Sequence, residues 1–93
     1  FGPVLCIISY KTIDEAIEAA NDTVFGLSSG VFAKDRLEAV SIAKHLEAGQ
    51  CYIQGGTFSI HAPFGGYKQS GNGREWAEHG LEEDLETKAI ICG

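Results

Sequence analysis

Pro63-Phe64-Gly65-Gly66-Tyr67-Lys68-Gln69-Ser70-Gly71-Asn72-Gly73-Arg74 gathers glycines, a proline, two cations and a hydroxyl into one stretch of a 93-residue chain. An ordered glycine costs roughly 0.5–1 kcal/mol of extra backbone entropy, so a cluster of them implies positive φ angles or close approaches that a Cβ would block. Something is expected to press on this backbone. Two nucleotide motifs can be tested by spacing. Gly66 and Gly71 open like a phosphate loop, but Asn72-Gly73 stands where Lys-Ser/Thr is required. Gly71-Asn72-Gly73-Arg74-Glu75-Trp76 fails the dinucleotide fingerprint, because Trp76 occupies the third small position and no strand leads into it. From the residues alone the stretch is either a structural crossing loop or a surface against which a ligand sits.

Working outward, the chain reads as α/β. Val4-Leu5-Cys6-Ile7-Ile8 is a continuous apolar run, predicted as a strand buried on both faces of a largely parallel sheet. Thr12 and Glu15 form a capping box ahead of Ile13, Ala16, Ile17 and Ala20, which predicts a helix to about Asn21. Gly26 to Ala33 is rich in small residues and ends in a short strand. Asp35 and Glu38 cap a second helix with Leu37, Val40, Ala43 and Leu46 inward and Gly49 as its stop, and Cys51-Tyr52-Ile53 follows as a strand. Strand, helix, strand, helix, strand is the order of a mostly parallel sheet with crossover helices. From Gln54 to Asn72 the periodicity dissolves, and loops of that length are usually functional. Glu75 to about Leu81 suggests a helix interrupted by Gly80, and Thr87 to Cys92 a terminal strand in need of a partner.

Length and charge narrow the function. A chain of 93 residues fits one small domain with a thin core. It holds no methionine and begins Phe1-Gly2-Pro3, and so reads as a piece of a longer protein. A net charge of −6 argues against nucleic acid, whose phosphates need a basic face. No apolar run approaches a membrane span. Cys6, Cys51 and Cys92 are odd in number and set in apolar runs, which predicts buried thiols in a reducing, cytoplasmic setting rather than disulfides. That apolar setting also argues against any of them as a nucleophile. Neither Cys-x-x-Cys nor a histidine pair at helical spacing occurs, so no metal site is expected.

Phe1-Gly2-Pro3-Val4, Gly26-Leu27-Ser28-Ser29-Gly30-Val31, Ala48-Gly49, Pro63 to Glu75 and Glu86-Thr87-Lys88 occur in an order that resembles the C-terminal part of the catalytic domain of the NAD(P)-dependent aldehyde dehydrogenases. The resemblance implies oxidation of an aldehyde to a carboxylic acid with NAD(P)+, through a cysteine thiohemiacetal and a thioester. It places the nucleophilic cysteine, the general-base glutamate and the oxyanion-binding asparagine before Phe1, so no catalytic residue is assigned here and the chain alone is expected to be inactive. Phe1 matches a family phenylalanine beside the nicotinamide ribose. Phe58 matches an aromatic position lining the aldehyde tunnel, with a loop aromatic packed for stability as the alternative. His61 stands at the tunnel mouth or is merely solvated. The resemblance further implies a homo-oligomer, dimer or tetramer, with residues 87–93 as its oligomerisation strand and 1–86 as partial catalytic domain. The rival class is a non-catalytic α/β interaction or oligomerisation module.

Overall fold

The first two helix starts form where the side chains dictate. In the computed structural model, which describes residues 2–93, Thr12 is extended (φ −129°, ψ 155°) and its hydroxyl accepts from the Glu15 N–H at 3.2 Å, opening α1, Ile13–Asn21. Asp35 does the same for α2, Arg36–Ala43, where its carboxylate accepts from the Glu38 N–H at 2.9 Å. In each case the glutamate reaches back one residue beyond the cap, to the Lys11 N–H (2.9 Å) and the Lys34 N–H (3.2 Å).

α2 ends well before Gly49, and the reason is tertiary. The Asn21 amide donates to the His45 carbonyl at 2.8 Å and accepts from the Glu47 N–H at 2.9 Å, so groups that a longer helix would use are bound by the end of α1. On α2 it is Ala39 that is fully buried, whereas Leu37 is 83% exposed, contrary to the inward face expected of it.

Two short ribbons follow. β2, Ser28–Val31, and β3, Gln50–Ile53, run parallel with Ser28 opposite Gln50 and Val31 opposite Ile53, and α2 lies against both. Gln54 closes this unit reciprocally, accepting from the Ala33 N–H (3.2 Å) and donating to the Ala33 carbonyl (2.8 Å). The second ribbon is antiparallel: β1, Phe25–Gly26, pairs with β4, Tyr67–Lys68. β4 lies inside the stretch that reads as structureless, and an antiparallel bridge joins Phe64 to Glu75 beyond it. A two-residue strand has no period to detect. The last helix, α3, is Ala77–Glu83, and Gly80 does not interrupt it.

The two apolar terminal runs are not strands in this structure. Residues 4–8 and 87–92 carry no regular structure, with Val4 and Leu5 at 83% exposure and Ile91 at 92%. A strand exists only against a partner, and among the described residues none is supplied. Cys6 and Cys92 are accordingly exposed and Cys51 is half-buried, which corrects the expectation of buried thiols. The radius of gyration, 17.2 Å, exceeds the about 12 Å of a compact domain of this length. The accessible surface, 7962 Å², exceeds the roughly 5,200 Å² of a folded protein of this mass. Among the described residues, Val31 and Ala39 are the buried apolar residues of the core. A large apolar surface is thus available for covering by other structure.

Candidate functional site

What presses on the glycines is the chain itself. A Cβ on Gly49 would overlap the Gly65 carbonyl, and one on Gly26 would overlap the Glu47 carbonyl. A Cβ on Gly65 would meet the Gly73 carbonyl and lie 2.8 Å from the Arg74 Cδ, while one on Gly66 would lie 2.9 Å from the Ser70 carbonyl carbon. Gly49 therefore meets the glycine-rich segment at backbone contact, and Glu47 meets Gly26. The crossing-loop reading accounts for these positions. At Gly73 (φ +71°) the space a side chain would take holds the Glu83 carboxylate, at 2.8 Å. A negative charge there opposes any phosphate, which agrees with the failed nucleotide motifs.

Polar side chains then fasten the crossing. Lys68, in the left-handed region (φ 53°), donates from Nζ to the Asn21 carbonyl (2.7 Å) and the Thr23 carbonyl (3.1 Å) and pairs with the Glu47 carboxylate at 2.5 Å. The Ser70 hydroxyl accepts from the Gly26 N–H at 2.8 Å. Arg74 donates through Nη1 to the carbonyls of Gly66 (3.1 Å) and Gly73 (2.6 Å) and lies 5.4 Å above the Tyr67 ring. The cations of this segment are thus engaged by its own fold, and Lys68 and Arg74 are not poised for an anionic ligand. Because Lys68 satisfies backbone carbonyls as well as a carboxylate, Lys68→Met is expected to lower unfolding stability by about 1–3 kcal/mol. The measurement is the denaturant midpoint at unchanged slope; an unmoved midpoint would reduce the contact to a solvated ion pair.

The loop before this segment carries an aromatic group. Phe58 meets Trp76 edge to face (4.7 Å between centroids, 86°), and Phe64 lies on the same indole (4.6 Å, 33°). Phe58 is packed on that side and is still 52% exposed. It is therefore a packed loop aromatic with one side exposed. His61 is exposed in the same loop, its N–H donating to the Ser59 hydroxyl at 3.3 Å. Phe1 lies outside the described residues. Sequence reading missed Trp76, Lys68 and Asn21, whose partners are all remote and leave no local signal. Among the described residues no group of three or more His, Cys, Asp or Glu is placed to hold a metal ion.

The profile described as "Aldehyde dehydrogenase family" matches residues 1–90. The chain belongs to the aldehyde dehydrogenase family. It is 50% identical over 91 residues to 3-succinoylsemialdehyde-pyridine dehydrogenase of a Pseudomonas species, covering 98% of this chain and 19% of that protein. A variant of aldehyde dehydrogenase C from Pseudomonas syringae, solved with NAD+ and octanal, superposes with a TM-score of 0.92 at 56% identity, over 97% of this chain and 19% of its own. Betaine aldehyde dehydrogenase from Staphylococcus aureus, solved with NAD+, gives 0.82 at 44% identity, over 88% of this chain and 16% of its own. This aldehyde dehydrogenase chain thus spans about a fifth (19%) of the length of such relatives. Their names carry chemically different aldehydes at comparable identity, so family membership leaves the substrate unassigned.

Proposed function

We propose that this chain is the C-terminal part of the catalytic domain of an enzyme that oxidises an aldehyde to a carboxylic acid with NAD(P)+. The reading is supported above all by the family match along residues 1–90. NAD+ is favoured as cofactor because relatives at 56% and 44% identity were solved with it. The cofactor, when bound, accepts hydride from the substrate carbon; Phe1 is the residue of this chain proposed to pack beside its nicotinamide ribose. The occupied glycine turn and the engaged Lys68 and Arg74 assign no phosphate contact to this segment. Covalent attack by a cysteine is part of the family chemistry, and neither the exposed Cys6 and Cys92 nor the β3 residue Cys51 is proposed for it. The purified 93-residue chain, given aldehyde and NAD+, is expected to produce no NADH above a blank; thiol-dependent NADH production would overturn this.

Phe58 is proposed to line the aldehyde path. Residues 54–67 contain no Asp, Glu, Lys or Arg, so the loop offers an uncharged surface, and octanal in the Pseudomonas syringae enzyme is an aldehyde of that kind. In the full-length enzyme Phe58→Ala removes one aromatic contact, on the order of 1–3 kcal/mol, from the transition state of bulky aldehydes. The ratio of kcat/KM for a bulky over a short aldehyde is expected to fall roughly tenfold while the cofactor KM holds. Equal losses for both aldehydes with a raised cofactor KM would move Phe58 to the cofactor side or to the core.

A homo-oligomer built through residues 87–93, a catalytic portion at 1–86 and a cytoplasmic setting complete the proposal. The exposed apolar ends also favour the second reading, an α/β interaction module.

A further inference from the structure

We propose that Trp76 is a positioning residue for aldehyde selectivity: its indole fixes the Phe58 ring, and bulky uncharged aldehydes are the substrates that depend on it. This rests on reading Phe58 as a substrate-lining side chain. Three observations carry it.

The loop around Phe58 has little else to hold it. Its internal hydrogen bonds are local: the Gly56 N–H to the Ile53 carbonyl (2.9 Å), the Ala62 N–H to the Ser59 carbonyl (3.3 Å) and the His61 N–H to the Ser59 hydroxyl (3.3 Å). None reaches across to α3. The aromatic contact of Phe58 is with Trp76, and the same indole packs on Phe64. Phe64 in turn is tied to Glu75 by a reciprocal backbone pair at 2.9 and 2.6 Å, so one end of the array is fixed and the indole transmits that order to Phe58.

Trp76 also occupies a backbone region that is otherwise almost confined to glycine (φ 67°, ψ 157°), and Ala77 after it is left-handed (φ 50°). A bulky residue persists there only where its surroundings overdetermine it. Those surroundings are the two phenylalanines, together with the Trp76 carbonyl that accepts from the Gly80 N–H at 2.9 Å. Finally, Phe58 keeps one side open, as a wall requires, in a loop without charged groups.

The same strain supplies a clean variant. Trp76→Gly removes the indole while relaxing the backbone, so α3 is retained, and Trp76→Leu, measured in parallel, keeps bulk without an aromatic face. In the full-length enzyme Trp76→Gly is expected to lower the bulky-to-short kcat/KM ratio about tenfold, as Phe58→Ala does, with an unchanged cofactor KM. The Phe58→Ala/Trp76→Gly double variant should be no worse than either single one, because the two act through one ring. Trp76→Phe should restore most of the ratio. If Phe58→Ala shifts selectivity but Trp76→Gly and Trp76→Leu do not, or if the two effects multiply in the double variant, the positioning role is wrong and the Phe58 reading survives. If Phe58→Ala leaves the ratio unchanged, both fall, whatever Trp76→Gly does.

Discussion

Gly49→Ala in the full-length enzyme is expected to abolish soluble expression or to lower stability by more than about 4 kcal/mol, the range reserved for severe core faults. The added Cβ would overlap the Gly65 carbonyl, and that carbonyl belongs to a segment held on both sides. Lys68 and Ser70 fasten it to residues 21–26, and Arg74 closes over Gly66 and Gly73. A side chain in the way can change rotamer, but here the obstacle is backbone, and moving it breaks the β1–β4 pairing and the crossing together. Gly30→Ala is the control. Its Cβ would sit 3.6 Å from the Tyr52 carbonyl, an ordinary contact, in a strand where alanine is the better residue. Soluble yield and denaturant midpoint of the two variants should therefore diverge sharply. A Gly49→Ala enzyme as stable as the Gly30→Ala one would mean that the crossing is looser than its geometry.

Deleting Thr87–Gly93 from the full-length enzyme is expected to reduce the oligomer to smaller species. Ile90 and Ile91 are 83% and 92% exposed, and this segment has no strand partner among the described residues. Burying two such side chains contributes about 1.5–3 kcal/mol each, and the unpaired N–H and C=O groups of an open strand would otherwise recruit any available edge. Glu82, Glu83, Asp84 and Glu86 immediately precede the run and suit a gatekeeping role that keeps it soluble before it pairs. A neighbouring subunit is the proposed partner. Light scattering and thermal unfolding of the truncated enzyme test it; an unchanged mass with lowered stability would place the strand within its own subunit.

The particular elements show what was legible in the residues. Thr12 and Asp35 announced their helices because a cap is satisfied within three residues, so the chain carries the whole instruction locally. The order strand, α2, strand around Ser28–Val31 and Gln50–Ile53 was readable for a similar reason: each piece is punctuated by small or capping residues. The failure of the nucleotide motifs was likewise a matter of neighbouring residues, and the Glu83 carboxylate beside Gly73 agrees with it. Tertiary structure decided the rest. Apolar runs at residues 4–8 and 87–92 have strand composition, but pairing is a property of two segments and among the described residues no second segment pairs with them. Gly49 reads as a helix stop until Gly65 is found against it, and Asn21 reads as a helix end until it binds His45 and Glu47. The Phe58–Trp76–Phe64 array has no sequence signature at all. Its residues are separated by loop, and which ring faces which is set by the fold. Sequence specifies what its near neighbours can satisfy; partners brought from afar by the fold specify the remainder, because their free energy depends on a distance that spacing alone does not determine.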